Sequence, residues 1–253
     1  MITPGYQEVL LSFLLVVGAI VITRLWKIPV AKDMALGSVR SFLQLVAVGY
    51  ALNLIFDLES PYLIILAFII MLTVGAQAGS SRVKNVKGSF VVTLLAMFIG
   101  SFLTLGLMLL FNIISFEARY IIPLGGMLIG NSMNASALCV DRLCSDIQGN
   151  QLAIETSLSL GKTWRMASSK FIKDASTTGM ISILNFMKTV GIVALPGAMT
   201  GMIIAGIDPL KAVLLQIIVV YMLLMAVSLT SVIAVEFTVR KFFTHHHQLK
   251  QIC

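Results

Sequence analysis

The stretch GSFVVTLLAMFIGSFLTLGLMLLFNIISF, Gly88–Phe116, decides the fold class of this chain. Its 29 residues include no charged side chain, and about 18 such residues in a row suggest a membrane span. The rest of the chain is similar: of 253 residues, 58% are hydrophobic and 11% are charged, with a mean hydropathy of +0.98. Soluble domains carry about 25% charged residues. The sequence therefore predicts an integral membrane protein rather than a soluble protein with a large core.

Seven apolar segments are long enough to cross a membrane as helices. About 20 residues, at 1.5 Å each, span the roughly 30 Å of hydrocarbon in a bilayer. We predict an all-α, polytopic helical membrane protein in which residues 1–253 form a single transmembrane domain. The predicted spans are Tyr6–Thr23, Met34–Phe56, Pro61–Ser81, one within Gly88–Phe116, Tyr120–Val140, Lys188–Ile207 and Ala212–Val235.

The basic residues are concentrated in alternate loops. The net charge is +7, and most lysines and arginines follow the first, third, fifth and seventh predicted spans. Loops rich in lysine and arginine stay in the cytoplasm, so we expect the N-terminus outside and the C-terminus in the cytoplasm. The cytoplasmic excess of lysine and arginine that is usual in membrane proteins accounts for this charge, because the basic residues lie in short loops beside the spans. The expected partner on these surfaces is membrane lipid. We predict no nucleic-acid partner.

The longest loop, residues 141–178, is predicted to be cytoplasmic and to contain one or two short helices. It includes SLSLGKTW, Ser157–Trp164, in which Gly161-Lys162-Thr163 looks like the end of a phosphate-binding P-loop. A P-loop requires glycine five residues before Gly161 and a preceding strand. This chain has Thr156 there, and no strand pattern precedes it. We therefore predict no nucleotide site in this loop.

A different motif fits the same stretch better. Glu155-Thr156-Ser157, three more residues and Gly161 resemble the E-A-A-x-x-x-G signature of ABC-transporter permeases. In that family the segment is a coupling helix that seats in a groove of a separate ATPase subunit. On this interpretation Glu155 supplies charge at a helix start, Gly161 permits a turn between two short helices, and Leu158 and Trp164 are apolar anchors. The alternative is an amphipathic helix lying on the membrane surface or on the other spans.

Three further stretches resemble the membrane subunit of the Fet-type ABC exporter family. They are Lys188–Leu224, Ser38–Leu52 and Gly126–Leu138, and the block Leu195–Gly201 is the most specific part. Bacterial members of that family are linked to iron export, and plant relatives to aluminium tolerance. One departure is Ser182, where family members tend to have proline.

The resemblance implies a plasma-membrane permease that exports iron or another metal. It implies a homodimer of permeases paired with two separate ATPase subunits, so the chain itself would be no enzyme and would need no cofactor. The alternative is a self-contained secondary transporter or channel. Such a protein needs its own coupling-ion site, usually built from intramembrane acids, and the predicted spans contain almost none.

Two basic residues and several amides are candidates for a translocation path. Arg40 and Lys188 either line the path or extend their charges to the membrane surface, since a charge at membrane depth costs roughly 2.5–3.5 kcal/mol. Asn131 and Asn134 are three residues apart and share a helix face, which should face inward or toward a polar path. Two glutamines could join them, namely Gln44 and Gln216.

The pair Pro196–Gly197 should break or kink the sixth span, because proline removes a backbone hydrogen bond. The break is a hinge, a substrate site or a structural kink. The metal ligands stay unassigned: the methionines are explained by packing, and bare hard cations want oxygen ligands that the spans hardly supply. An assignment to iron rests on the resemblance, and a chelated or anionic form of the metal fits the charges of the spans at least as well. His245–His247 could bind metal weakly, although a disordered tail is the simpler explanation.

Overall fold

A computed structural model describes residues 5–58, 60–82, 88–244 and 248–250. The described residues form helices and two isolated β-bridges, with no strand, which confirms the predicted all-α class. The helices are α1 (Tyr6–Leu25), α2 (Ala31–Leu58), α3 (Pro61–Arg82), α4 (Ser89–Leu110), α5 (Ala118–Gly149), α6 (Gln151–Ser159), α7 (Trp164–Ala167), α8 (Ser169–Thr189), α9 (Gly197–Ile204) and α10 (Pro209–Lys241).

The chain divides into two units, residues 1–59 and 60–253. In the first unit α1 packs against α2, and the rings of Phe13 and Phe42 meet edge to face with centroids 6.2 Å apart. Near the turn between the helices, the hydroxyl of Thr23 contacts the sulfur of Met34. The first unit is therefore a helical hairpin.

The second unit is organised around α10, which packs against α4, α5 and α8. Small residues allow the backbones to approach closely. A Cβ at Gly100 of α4 would lie 3.0 Å from the carbonyl oxygen of Ala226 and would also collide with the hydroxyl of Thr230. Gly179 of α8 is packed in the same way against Ser231. Helices in a membrane associate through such close packing, because lipid supplies no hydrophobic force between them.

Five of the described helices are long and apolar enough to cross a membrane: α1, α2, α3, α4 and α10. They match predicted spans one to four and seven. The fifth predicted span lies within α5, whose polar middle, including Asn131 and Asn134, lowers its apolar content. The count of seven spans is thus not confirmed.

The sixth predicted span, Lys188–Ile207, is interrupted before Gly197, which confirms the predicted break at Pro196–Gly197, but the interruption already begins at Val190. Helix α8 ends at Thr189, the next seven residues are not helical, and α9 has only 8 residues. The carbonyl oxygen of Thr189 accepts hydrogen bonds from the amides of Ile192, Val193 and Ala194. Gly191, with φ +84°, turns the backbone. Proline at 196 cannot donate a backbone hydrogen bond, and the chain re-enters a helix only after it.

The predicted cytoplasmic loop, residues 141–178, is mostly helical. Helix α5 continues past Val140 to Gly149, and α8 already begins at Ser169. Between them lie the two short helices α6 and α7, as the composition of this stretch predicts.

Candidate functional site

The first candidate site is the segment of residues 151–167, here called the coupling segment, which consists of α6, a turn and α7. Gly161 lies in the turn with φ +84° and has no heavy atom within 4 Å of the position its Cβ would take. Its amide donates to the carbonyl oxygen of Leu158 at 2.9 Å, and that of Lys162 donates to Ser157 at 3.2 Å. The left-handed conformation favours glycine, which confirms the predicted turn between two short helices.

The inner side of the coupling segment packs on the chain's own core. Ile154 is 1% exposed, and Leu158 and Trp164 are partly buried against the same cluster. The indole of Trp164 stacks on the ring of Phe243, with centroids 5.7 Å apart. Leu158 and Trp164 thus hold the segment on the other helices, which matches the alternative of a helix lying on the spans.

The outer side of the coupling segment presents a different set of side chains. Leu152 and Leu160 are 79% and 77% exposed, and Met166 is 63% exposed. Glu155 is exposed among them. It lies in the middle of α6, whose first turn contains no acidic residue, so its predicted place at a helix start is wrong. Sequence reasoning missed the leucines at 152 and 160 as outward groups, because spacing along the chain does not say which helix face is covered.

An ion-pair chain joins the coupling segment to the end of α10. A guanidinium nitrogen of Arg165 lies 3.5 Å from a carboxylate oxygen of Glu236, whose other oxygen accepts from Arg240 at 2.9 Å. The two arginines are largely exposed, so each ion pair is individually weak. Together with the stacking of Trp164 on Phe243, they connect α7 mechanically to α10.

The second candidate site is a polar cavity of about 330 Å³ between α5, α8 and α10. Asn131 and Asn134 both line it, as their shared helix face predicts, and both are exposed. Asp141 of α5 and Ser182 of α8 line the same cavity and were not among the predicted site residues. The spacing 131, 134, 138, 141 could have revealed Asp141, since these positions recur on one helix face.

The third candidate site is a cavity of about 500 Å³ beside the break between α8 and α9. Gln216 lines it and is 5% exposed; its Oε1 is buried and has no hydrogen-bond partner among the described residues. Leu195 and Met199 flank the predicted pair Pro196–Gly197 and also line this cavity. Pro196 caps the start of α9, and Gly197 is its first residue. Buried amides normally have hydrogen-bond partners. A bound ligand or a water molecule in this cavity would supply a donor for this oxygen.

The remaining predicted path residues are not among those that line these two cavities. Lys188 is exposed on the last turn of α8 and lines neither cavity. Arg40 and Gln44 are exposed on α2, in the first unit. Gln216 lines a different cavity from Asn131 and Asn134.

No cluster of three or more His, Cys, Asp or Glu side chains that could hold a metal occurs in the described ranges. Cys139 and Cys144 are buried and form no disulfide. His245–His247 lie outside the described residues.

Comparison with known proteins gives the family. The family model UPF0014, described as an uncharacterised protein family, matches residues 6–243. The UPF0014 membrane protein YjkA of Bacillus subtilis is 39% identical over 246 residues, which cover 97% of this chain and 98% of YjkA. The probable iron export permease protein FetB of Escherichia coli is 37% identical over 243 residues, covering 96% and 94%.

A plant protein is also similar over most of its length. Protein ALUMINUM SENSITIVE 3 of Arabidopsis thaliana is 35% identical over 239 residues, covering 94% of this chain and 88% of the plant protein. No solved structure matches the chain significantly. The predicted resemblance to Fet-type and plant aluminium-tolerance membrane proteins is therefore confirmed. With its apolar helices and a family match over nearly its whole length, the chain is a multi-pass membrane protein that belongs to the UPF0014 family.

Proposed function

We propose that this chain is the permease subunit of an ABC exporter for iron or another metal, powered by a separate ATPase subunit. The observation that carries the proposal is the coupling segment. It exposes apolar side chains on its outer side, turns at a glycine and is fastened to α10 on its inner side. The name of FetB, a probable iron export permease, supports iron as the substrate.

The exposed side of the coupling segment supplies the docking surface for the ATPase. Leu152, Leu160 and Met166 offer apolar contacts, and Glu155 offers a charge. Apolar anchors of this kind dominate the energy of protein interfaces. ATP hydrolysis takes place on the partner, so the permease chain carries no catalytic group of its own.

Movement of the coupling segment passes to α10 through the stacking of Trp164 on Phe243 and through the ion pair of Arg165 with Glu236. Helix α10 lines both cavities, and it packs on α4, α5 and α8. A push on the segment therefore shifts the walls of the path. In this proposal Asn131, Asn134 and Gln216 line that path, and the roles of Arg40, Gln44 and Lys188 stay predictions as well.

Two copies of the chain pair in the plasma membrane. The exposed amides of Asn131 and Asn134 lie near the middle of α5, and polar groups facing lipid are costly. A second copy of the chain that covers this face, with water enclosed between the two copies, removes that cost. The complex then contains two permeases and two ATPases, with the coupling segments in the cytoplasm.

Purification from the native membrane tests the proposal. We expect an ATP-hydrolysing subunit to co-purify with the detergent-solubilised chain. Leu160→Glu should abolish co-purification, because it places a charge on the docking surface. Leu160→Met, which keeps the surface apolar, should preserve it. Trp164→Ala should retain the ATPase and lose its stimulation, since Trp164 faces the chain's own core.

Gel filtration of each variant shows whether the membrane fold is intact. A chain that purifies alone and moves iron into liposomes without ATP would refute the proposal and favour a self-contained transporter. Equal co-purification with Leu160→Glu would exclude this surface as the docking site.

A further inference from the structure

The side chains that line the polar cavity between α5, α8 and α10 determine which class of ligand it can hold. Its polar side chains are Asn131, Asn134, Asp141 and Ser182, and its other lining residues are apolar or glycine. No cysteine, methionine or histidine lines it. Soft metals such as Cu(I) prefer sulfur ligands, whereas hard cations prefer carboxylate, carbonyl and water oxygens. The cavity therefore offers ligands for a hard cation.

Two exposed side chains of α5 that line the cavity, Asn131 and Asp141, have oxygens with no hydrogen-bond donor among the described residues. The Nδ2 of Asn131 donates to the carbonyl oxygen of Met127 at 2.8 Å, so the amide group's donor is engaged while its Oδ1 has no partner among the described residues. Asp141 has no hydrogen bond or ion pair with any described residue. Asp146, on the same helix but outside the cavity, is instead paired with Arg142 at 2.8 Å. Asp141 is thus the only carboxylate among the residues lining the cavity, and it is not neutralised by a described side chain.

Helix geometry limits how an ion can be held. At 1.5 Å per residue, Asp141 lies about 10 Å along the axis from Asn134 and about 15 Å from Asn131. A dehydrated ion cannot contact these groups together. An ion that keeps its water lies roughly 4–5 Å from each group that it meets through one water layer. Such an ion fits between Asp141 and Asn134.

We propose that this cavity takes up a hydrated divalent cation, with Asp141 as the charged residue that captures it and Asn134 as the first amide that it meets. Mg²⁺-like cations are commonly held through one or two carboxylates while keeping several waters, so one carboxylate is sufficient. Weak, water-mediated binding also suits a transport site, where the ion must leave again. The inference rests on the proposed transport function and specifies the form of its substrate.

Binding of Mn²⁺ to the purified, detergent-solubilised chain tests this proposal without ATP or an ATPase subunit. The electron paramagnetic resonance signal of free Mn²⁺ falls when the ion binds, which gives an affinity directly. We expect Asp141→Asn to weaken binding by about tenfold or more, because affinity for a hard cation follows the charge of its ligands. Asp141→Glu should keep most of the affinity. Asp146→Asn is the matched control and should leave it unchanged.

Weaker binding in Asp141→Asn alone, with Asn134→Ala showing a smaller loss, would support the proposal. Equal affinity in Asp141→Asn and Asp146→Asn, or no Mn²⁺ binding by the unmodified chain, would overturn it. The last result, combined with a co-purifying ATPase, would leave the permease proposal standing and assign it a different substrate form. If the chain binds Mn²⁺ but no ATPase co-purifies with it, the cation site would stand and the proposal of an ATPase-powered permease would fail.

Discussion

A single residue, Gly161, sets the geometry of the coupling segment. Its φ of +84° places it in the left-handed region, and open space surrounds the position of a Cβ. Any cost of a side chain there therefore comes from the backbone alone, at about 1–2 kcal/mol. Gly149, at the end of α5, also has open space around it but no positive φ, which makes it a matched control.

We expect Gly161→Ala to loosen the coupling segment. Hydrogen exchange of the amides in residues 151–167 should accelerate by about 5- to 30-fold, which corresponds to one or two kcal/mol. Gly149→Ala should leave that exchange unchanged. Mass spectrometry of the exchanged peptides checks both variants, and equal protection in the two would mean that the turn does not depend on glycine.

At the scale of the helix pair, α4 and α10 depend on contacts that exclude even a methyl group. A Cβ at Gly100 would collide with Thr230 and crowd the carbonyl oxygen of Ala226, whereas Gly106 of the same helix has nothing within 4 Å. Thr230 in turn reaches the carbonyl oxygen of Ala96 across the interface, at 3.4 Å. Substituting each of the two glycines of α4 in turn therefore distinguishes the effect of close packing, at Gly100, from the effect of helix propensity, at Gly106.

Gly100→Ala should destabilise the second unit by about 1–3 kcal/mol, the usual cost of overpacking. Gly106→Ala should be neutral or stabilising by about 0.5–1 kcal/mol, because alanine favours a helix more than glycine does. Thermal unfolding midpoints of both variants in one detergent measure the difference. Identical midpoints would show that α4 and α10 are not in close contact at Gly100.

At the scale of the whole molecule, the distribution of charge predicts the orientation in the membrane. The basic residues in the predicted cytoplasmic loops resist transfer across the bilayer. Ser115, before α5, and Ser159, at the end of α6, are both exposed and should lie on opposite sides of the membrane. The native Cys139 and Cys144 are buried, so they contribute little labelling.

Thiol labelling of intact cells tests this orientation. We expect a membrane-impermeant reagent to label Ser115→Cys from outside and to label Ser159→Cys only after the membrane is permeabilised. The unmodified chain, which still contains Cys253, is the background control. The opposite pattern would place the coupling segment outside the cell and would contradict an ATPase partner in the cytoplasm.

The sequence by itself determined the class of protein, because run length and charge are summed along the chain and need no tertiary contact. Gly88–Phe116 predicts a span, and the described helix α4 occupies Ser89–Leu110. The glycine turn at Gly161 and the shared face of Asn131 and Asn134 were predictable as well, since both follow from local backbone geometry.

Only the tertiary structure decided which helix faces are covered by neighbouring helices. Pro196–Gly197 predicted a break in the sixth span, but apolar content did not show that α8 already ends at Thr189 and that seven residues separate it from α9. Trp164 and Leu160 look equivalent in sequence, yet one packs on Phe243 and the other is 77% exposed. Asp141 falls one residue beyond the predicted fifth span, and it joined the polar cavity only because α5 continues and α8 packs beside it. Burial is a property of neighbouring helices, so the site depended on packing that no local pattern contains.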